Sequence, residues 1–74
     1  MGHVQSAGQK YLKLNQNQIN KAVGAFSKAI ILKPDYGDAY LGRGLAYEVD
    51  SQYQKAIDDL TKAEQFGAYT TLII

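Results

Sequence analysis

The chain has 74 residues, so it forms at most one small domain, and a core of that size is only marginally stable without a staple. It contains no Cys and one His (His3), which excludes disulfides and leaves no ligand set for zinc. We therefore expect no metal and no cofactor. Eight basic and seven acidic residues give a net charge of +1. The basic residues are scattered singly, which argues against nucleic-acid binding.

The sequence also argues against a membrane protein. No stretch approaches the run of about eighteen apolar residues that a membrane span needs. No charged segment followed by an apolar one resembles a signal peptide. The lack of Cys is compatible with a reducing cytosol. We therefore expect a cytoplasmic protein without a membrane partner.

In the first half of the chain, apolar residues recur at steps of three and four, which is the helical spacing. They predict a helix over 3–14 and a second helix over 18–32, separated by a polar run at 15–18. The only proline, Pro34, ends the second helix near Leu32 because it pushes Lys33 out of the helical region. The two stripes are Val4, Ala7, Tyr11 and Leu14, then Ile19, Val23, Phe26 and Ile30.

The second half predicts two more helices, over 36–49 and 52–66. Asp35 is the expected cap of the first of these, and Asp50 or Ser51 of the second. Gly67 stands where a left-handed residue commonly ends a helix. With no strand alternation in any window, the predicted fold class is all-α. The two stripes are Tyr40, Leu41, Gly44, Leu45 and Tyr47, then Tyr53, Ala56, Ile57, Leu60 and Ala63.

The two halves resemble each other. Ala22, Phe26 and Ala29 recur thirty-four residues later as Ala56, Leu60 and Ala63. An upstream set recurs at thirty-six, with two extra residues placed in the polar run at 15–18. The upstream pairs are Val4 with Tyr40, Ala7 with Arg43, Gly8 with Gly44, and Tyr11 with Tyr47.

Segments 38–47 (DAYLGRGLAY) and 53–57 (YQKAI), followed by Leu60 and Ala63, resemble a tetratricopeptide repeat. The resemblance implies two antiparallel helix-turn-helix hairpins in a short superhelix, forming one domain over 1–74. Repeat one covers about 3–36 and repeat two about 37–67, and 68–74 is the start of a third unit or a tail. The positions that match the signature are Gly8, Tyr11, Ala22, Phe26, Ala29, Pro34, Tyr40, Gly44, Tyr47, Tyr53, Ala56, Leu60 and Ala63.

The signature positions can also be given physical roles. We expect Gly44 and Ala56 to lie where the two helices of a hairpin cross, because a larger side chain would hold the backbones apart. Tyr47 and Tyr53 are expected to fill the gap near the loop. The large Leu60 and the small Ala63 would face the next helix. For all of these, a structural role is favoured over a functional one.

The resemblance implies a protein-binding groove on the exposed side of the first helix of each repeat. Leu41, Leu45 and Val49 would form a hydrophobic binding strip there, unless they pack against a neighbouring repeat. Gln5, Gln9 and Gly42 stand where some members hold a chaperone-tail carboxylate, and they cannot supply that charged clamp. An extended or helical segment with apolar anchors fits better. The expected binding positions are Gln5, Gln9, Leu12, Lys13, Asp38, Leu41, Leu45, Glu48 and Val49.

Catalysis is not expected. No nucleophile–base set can be assembled from one His and no Cys. Asp58 and Asp59 are adjacent, point about 100° apart on a helix, and suit a solvated face. The glycines at 37, 42 and 44 lack the Lys-Ser/Thr of a phosphate-binding loop.

The end of the chain is apolar and does not resemble a capping helix. Repeat arrays need about three units for independent stability, so two units leave the outer face of the last helix open, with Ile57, Leu60 and Phe66 as candidates. The chain would be a fragment of a longer array, a self-associating protein or a monomer whose tail folds back. The candidates for self-association are Ile57, Phe66, Tyr69, Leu72, Ile73 and Ile74.

Overall fold

The computed structural model describes residues 14–68, which form three α-helices: α1 (Gln16–Leu32), α2 (Gly37–Val49) and α3 (Tyr53–Gln65). No strand occurs between residues 14 and 68, and the predicted all-α class is confirmed. The predicted helices over 18–32, 36–49 and 52–66 agree with α1, α2 and α3 to within about three residues at each end. The helix predicted over 3–14 lies outside the described residues except for Leu14, which precedes α1.

A capping box that was not predicted from the sequence starts α1. The Asn15 side chain accepts a hydrogen bond from the backbone N–H of Gln18 at 2.8 Å, and the Gln18 side chain accepts one from the backbone N–H of Asn15 at 3.1 Å. This reciprocal pair satisfies two otherwise unpaired helix donors. At the other end Lys33 is extended, with φ −141°, as Pro34 requires. The polar run at 15–18 is therefore part of the start of α1.

The predicted caps of α2 and α3 are wrong. Asp35 lies one residue before the N-cap of α2, in a turn closed by the bond from Tyr36 N–H to the Lys33 carbonyl at 3.0 Å. The N-cap of α3 is Gln52, so neither Asp50 nor Ser51 occupies that position. Neither cap makes a side-chain hydrogen bond to its helix. The residues between α2 and α3 are instead used to end α2.

The end of α3 is a Schellman motif. Gly67 adopts φ +89° and donates to the Glu64 carbonyl at 3.1 Å, while Ala68 donates to the Ala63 carbonyl at 2.8 Å. Gly67 as the left-handed terminator is thus confirmed.

The end of α2 has the same hydrogen-bond pattern with a different residue at its centre. Ser51 takes φ +61° and donates to the Glu48 carbonyl at 3.0 Å, and Gln52 donates to the Tyr47 carbonyl at 2.9 Å. A left-handed conformation costs a residue that has a Cβ atom about 1 kcal/mol. The turn between α2 and α3 therefore holds a small backbone strain at Ser51.

Small residues allow α2 and α3 to pack closely in an antiparallel arrangement. A Cβ atom placed on Gly44 would lie 3.0 Å from the Leu60 side chain and 3.3 Å from the Ala56 carbonyl oxygen, so the predicted crossing is confirmed. Near the other end of the hairpin, Ala63 is fully buried against Gly37. Leu60 therefore faces α2, and Ala63 is buried at the same interface. A helix that follows α3 would lie outside the described residues, so the prediction that Leu60 and Ala63 face one stays a prediction.

Aromatic side chains complete the packing, but they differ in how far they are buried. The ring of Phe26 on α1 lies against Gly42 of α2, and the Tyr40 ring is buried with its centroid 5.6 Å from that of Phe66. Tyr47 is half-buried, but Tyr53 is 61% exposed, so the prediction that the Tyr53 ring fills the gap near the loop is wrong. The other buried apolar residues are small or aliphatic: Ile19, Ala39, Ala46, Ala56 and Ala63.

Candidate interaction surface

Five of the predicted binding residues share one side of α2. At about 100° per residue they fall within an arc of about 100°. Leu41 and Leu45 are half-buried, whereas Val49 is 40% exposed and the two acidic residues are exposed. We call this side the α2 outer face, and its members are Asp38, Leu41, Leu45, Glu48 and Val49.

The opposite side of α2 is used for internal packing. Tyr40 and Gly44 are buried toward α3, and Ala39 and Ala46 are buried as well. None of these belongs to the α2 outer face. The two leucines of that face are therefore not part of the buried core of the α2–α3 hairpin.

The predicted binding residues of the first repeat lie outside the described range. Gln5, Gln9, Leu12 and Lys13 all precede residue 14, where the description begins. Their proximity to the α2 outer face stays a prediction. The same holds for the signature residues Gly8 and Tyr11, and for four candidates for self-association at the other end: Tyr69, Leu72, Ile73 and Ile74.

A groove of about 270 Å³ lies between α1 and the start of α2. Its described lining is apolar except for Asp38, whose carboxylate is the single charge among these residues. Asp38 also belongs to the α2 outer face, so the groove adjoins that face. The lining consists of Ala25, Phe26, Ala29, Tyr36, Asp38 and Ala39.

This groove was not predicted from the sequence. Three alanines on facing helices, together with the large Phe26 ring resting on Gly42, were the available signal. The ring separates the helices at one level while the alanines leave space beside it. The size of that space depends on the helix separation, which a one-dimensional pattern does not contain.

A partly buried ion pair joins α2 to α3. Arg43 Nε donates to Asp59 Oδ2 at 2.7 Å, and Arg43 Nη2 donates to Asp59 Oδ1 at 2.9 Å, which makes the pair bidentate. Arg43 Nη1 also donates to Ser27 Oγ on α1 at 3.1 Å. The hydrogen bond with Asp59 raises the pKa of Arg43 above its ordinary value, against the opposing effect of burial. One guanidinium therefore contacts all three helices.

The prediction that Asp58 and Asp59 both lie on a solvated face is wrong for Asp59. Only 5% of Asp59 is exposed, whereas Asp58 is exposed and accepts a hydrogen bond from Gln54 at 3.2 Å. Asp59 falls three residues after Ala56 and four before Ala63, which are both buried. It is thus on the packed stripe of α3, and its buried charge is compensated by Arg43.

Aromatic rings surround the same guanidinium. The Arg43 guanidinium carbon lies 5.6 Å from the Tyr40 ring centroid and 5.9 Å from that of Tyr47. Lys55 and Lys62 on α3 lie 5.5 Å and 6.0 Å from the Tyr47 and Tyr40 centroids, respectively. These are cation–π distances. These three cations thus lie on the packed side of α2, while its outer face carries Asp38 and Glu48.

Large apolar side chains are also exposed away from the α2 outer face. On α3, Ile57 is 57% exposed and Phe66, which follows the helix, is 42% exposed, as predicted for an open outer side. Leu60 is half-buried over Gly44 and is less open than predicted. At the end of α1, Ile31 and Leu32 are 77% and 84% exposed.

Between residues 14 and 68, no group of three or more His, Cys, Asp or Glu side chains is placed to hold a metal ion. None of the three described helices combines the length and the apolar character that a bilayer crossing requires.

Comparison of the chain with protein-family models, with curated proteins and with solved structures found no match.

Proposed function

We propose that this chain is a non-catalytic, tetratricopeptide-type interaction module of the cytoplasm that binds a peptide or a partner helix. The α2 outer face would form part of its binding groove. The observation that supports this most directly is that Leu41, Leu45 and Val49 lie together on the side of α2 opposite its packed core. Surface strips of this kind, with acidic residues at both ends, are typical of protein-binding sites.

The physical case rests on side chains that the hairpin's own packing leaves available. Leu41 and Leu45 are one helical turn apart, so together they present a continuous apolar ridge. Covering such a ridge removes apolar surface from water, which contributes about 25 cal/mol per Å² to binding before the costs of ordering the partner. A short segment with apolar anchors would obtain its affinity in this way.

The test is the double substitution Leu41→Ser, Leu45→Ser in the 74-residue chain. We expect it to abolish capture of the partner from an extract of the source cell, while the mass in sedimentation and the helicity in far-UV circular dichroism stay unchanged. Ile57→Ser is the matched control, because it also removes an exposed apolar side chain, but from α3. Capture that survives the double substitution, or that is lost equally with Ile57→Ser, contradicts the proposal.

A second candidate function is self-association. It is supported by the exposure of Ile57 and Phe66 at α3 and of Ile31 and Leu32 at the end of α1, which two copies would cover together. Sedimentation distinguishes the two readings. Under self-association, Ile57→Lys or the Leu41/Leu45 double substitution lowers the mass of the assembly. A monomer with full helicity at micromolar concentration removes this candidate.

A further inference from the structure

From the groove between α1 and α2 and the charges of the α2 outer face, we infer that the partner segment is basic and apolar. One Lys or Arg side chain enters the groove beside Asp38, apolar side chains cover Leu41 and Leu45, and a second cation meets Glu48. This inference rests on the proposed function and specifies the chemistry of the partner.

The groove fits the side chain of a Lys or Arg better than a purely apolar one. Its walls are three alanines and two aromatic residues, and the only charge in its described lining is the Asp38 carboxylate. A Lys or Arg side chain has an apolar stem and a charged end, so its stem can lie along such walls while the cation meets the carboxylate. A volume of about 270 Å³ leaves room for a long side chain.

One residue of the groove wall already lies at a cation–π distance from a cation. The Nζ atom of Lys33 lies 5.1 Å from the centroid of the Tyr36 ring, and Tyr36 lines the groove. Cation–π attraction of this kind supplements a carboxylate and favours Lys or Arg over a neutral guest. Lys33 reduces the local negative charge, whereas Asp35 and Asp38 maintain it.

The α2 outer face is acidic because the only basic residue of α2 points elsewhere. Arg43 is paired with Asp59 and lies near the Tyr40 and Tyr47 rings, on the packed side of the helix. Between residues 14 and 68 the one ion pair involves Arg43 and Asp59, so neither Asp38 nor Glu48 is neutralised by a cation in this part of the chain. A basic segment therefore complements the face, and an acidic one is repelled.

The spacing of the two carboxylates also limits the register of the partner. Asp38 and Glu48 are ten positions apart on α2, which corresponds to about 15 Å along the helix. An extended segment rises about 3.3 Å per residue, so its two basic residues would be separated by about four or five positions, with apolar residues between them.

The inference is tested by selecting peptides that bind the 74-residue chain. The peptides come from a library of short random sequences displayed on phage. We expect the enriched peptides to carry two Lys or Arg residues at this separation around apolar residues. The Asp38→Asn chain should lose the preference at one basic position, and the Glu48→Gln chain at the other. A synthetic peptide of the enriched sequence should bind Asp38→Asn about tenfold more weakly than the original chain and should lose affinity as salt rises.

The matched control is Asp58→Asn, which removes the same charge from an exposed position on α3. It should leave both the enriched sequences and the peptide affinity unchanged. Circular dichroism of each variant confirms that it retains its helices.

The possible failures are distinguishable. Enriched peptides that lack basic residues but depend on Leu41 and Leu45 overturn the inference while the proposed function stands. Equal weakening by Asp58→Asn also overturns it, because attraction would then be unspecific. If the original chain enriches no peptide more strongly than the Leu41→Ser, Leu45→Ser chain does, both the inference and the proposed function fail.

Discussion

The two helix interfaces of α2 are built differently. Against α3, small residues meet closely: Gly44 lies beside Leu60 and Ala56, and Ala56 and Ala63 are almost fully buried. Against α1, a single large ring from Phe26 rests on Gly42 and leaves the groove open beside it. Small residues on both sides produce a tight contact, whereas one large residue against a glycine produces a contact with space at its edge. The same helix therefore has a closely packed side toward α3 and, toward α1, a side with open space.

Arg43 is where these two interfaces meet. Its guanidinium contacts Asp59 of α3 through two hydrogen bonds and Ser27 of α1 through one. The acceptor in the tight interface is a carboxylate, held by two hydrogen bonds, whereas the acceptor in the open interface is a neutral hydroxyl held by one, so the contact with Asp59 is the stronger. We therefore expect substitutions at Asp59 to affect stability more than any change at the α1–α2 contact.

Asp59→Asn has the largest expected effect. The amide keeps the shape of the side chain but leaves the Arg43 charge without its anionic partner, which should lower the free energy of unfolding by about 2–3 kcal/mol. Urea unfolding followed by far-UV circular dichroism measures this. The control is Asp58→Asn at the neighbouring exposed position, with an expected change within about 0.5 kcal/mol. Equal effects of the two substitutions would mean that the Arg43–Asp59 pair contributes little to the tight interface.

The sequence predicts the tight interface better than the open one. Helical periodicity locates α1, α2 and α3, and the small residues Gly44 and Ala56 mark a helix crossing in one dimension. The burial of Asp59 could also be predicted, because Asp59 shares a helical stripe with Ala56 and Ala63. Arg43 likewise shares a stripe of α2 with Tyr40 and Tyr47.

The open interface depends on the distance between two helices, which the sequence pattern does not contain. The groove exists because Phe26 and Gly42 set the separation of α1 and α2, and only packed coordinates give that separation. The predictions of the helix N-caps failed for a related reason. Asp35 is a favourable capping residue, but the turn after Pro34 places Tyr36 at the cap position instead. Capping preference is local, whereas the turn geometry decides which residue stands at the cap.

Gly42→Ala has the next largest expected effect, because it enlarges one side of the open interface. A Cβ atom at Gly42 would overlap the Phe26 ring, so the ring must move. Overpacking costs about 1–3 kcal/mol and outweighs a gain of about 1 kcal/mol in helix propensity. We expect a net destabilisation of about 1 kcal/mol in urea unfolding, together with weaker binding if the groove is displaced.

Gly24→Ala provides the matched control on α1. Gly24 is exposed, and an added Cβ atom would have no neighbour within 4 Å, so only the propensity gain of about 1 kcal/mol remains. The two identical substitutions should thus change stability in opposite directions. Adding Phe26→Leu to Gly42→Ala should recover part of the loss, since the smaller side chain leaves room for the methyl group. Destabilisation by both alanines would show that contact with Phe26 is not the cause.

Ser51→Gly has the smallest expected effect and acts on the turn that joins the two helices of the tight interface. Ser51 and Gly67 occupy equivalent left-handed positions after α2 and α3, with φ +61° and +89°. Glycine relieves a strain of about 1 kcal/mol, and its greater freedom in the unfolded chain offsets part of the gain. We expect a net stabilisation of about 0.5 kcal/mol. The reverse substitution, Gly67→Ala, should cost about 1 kcal/mol, because alanine must adopt the disfavoured conformation. Since the two ends share one hydrogen-bond pattern, opposite signs in urea unfolding would identify the backbone conformation as the cause, and equal signs would contradict it.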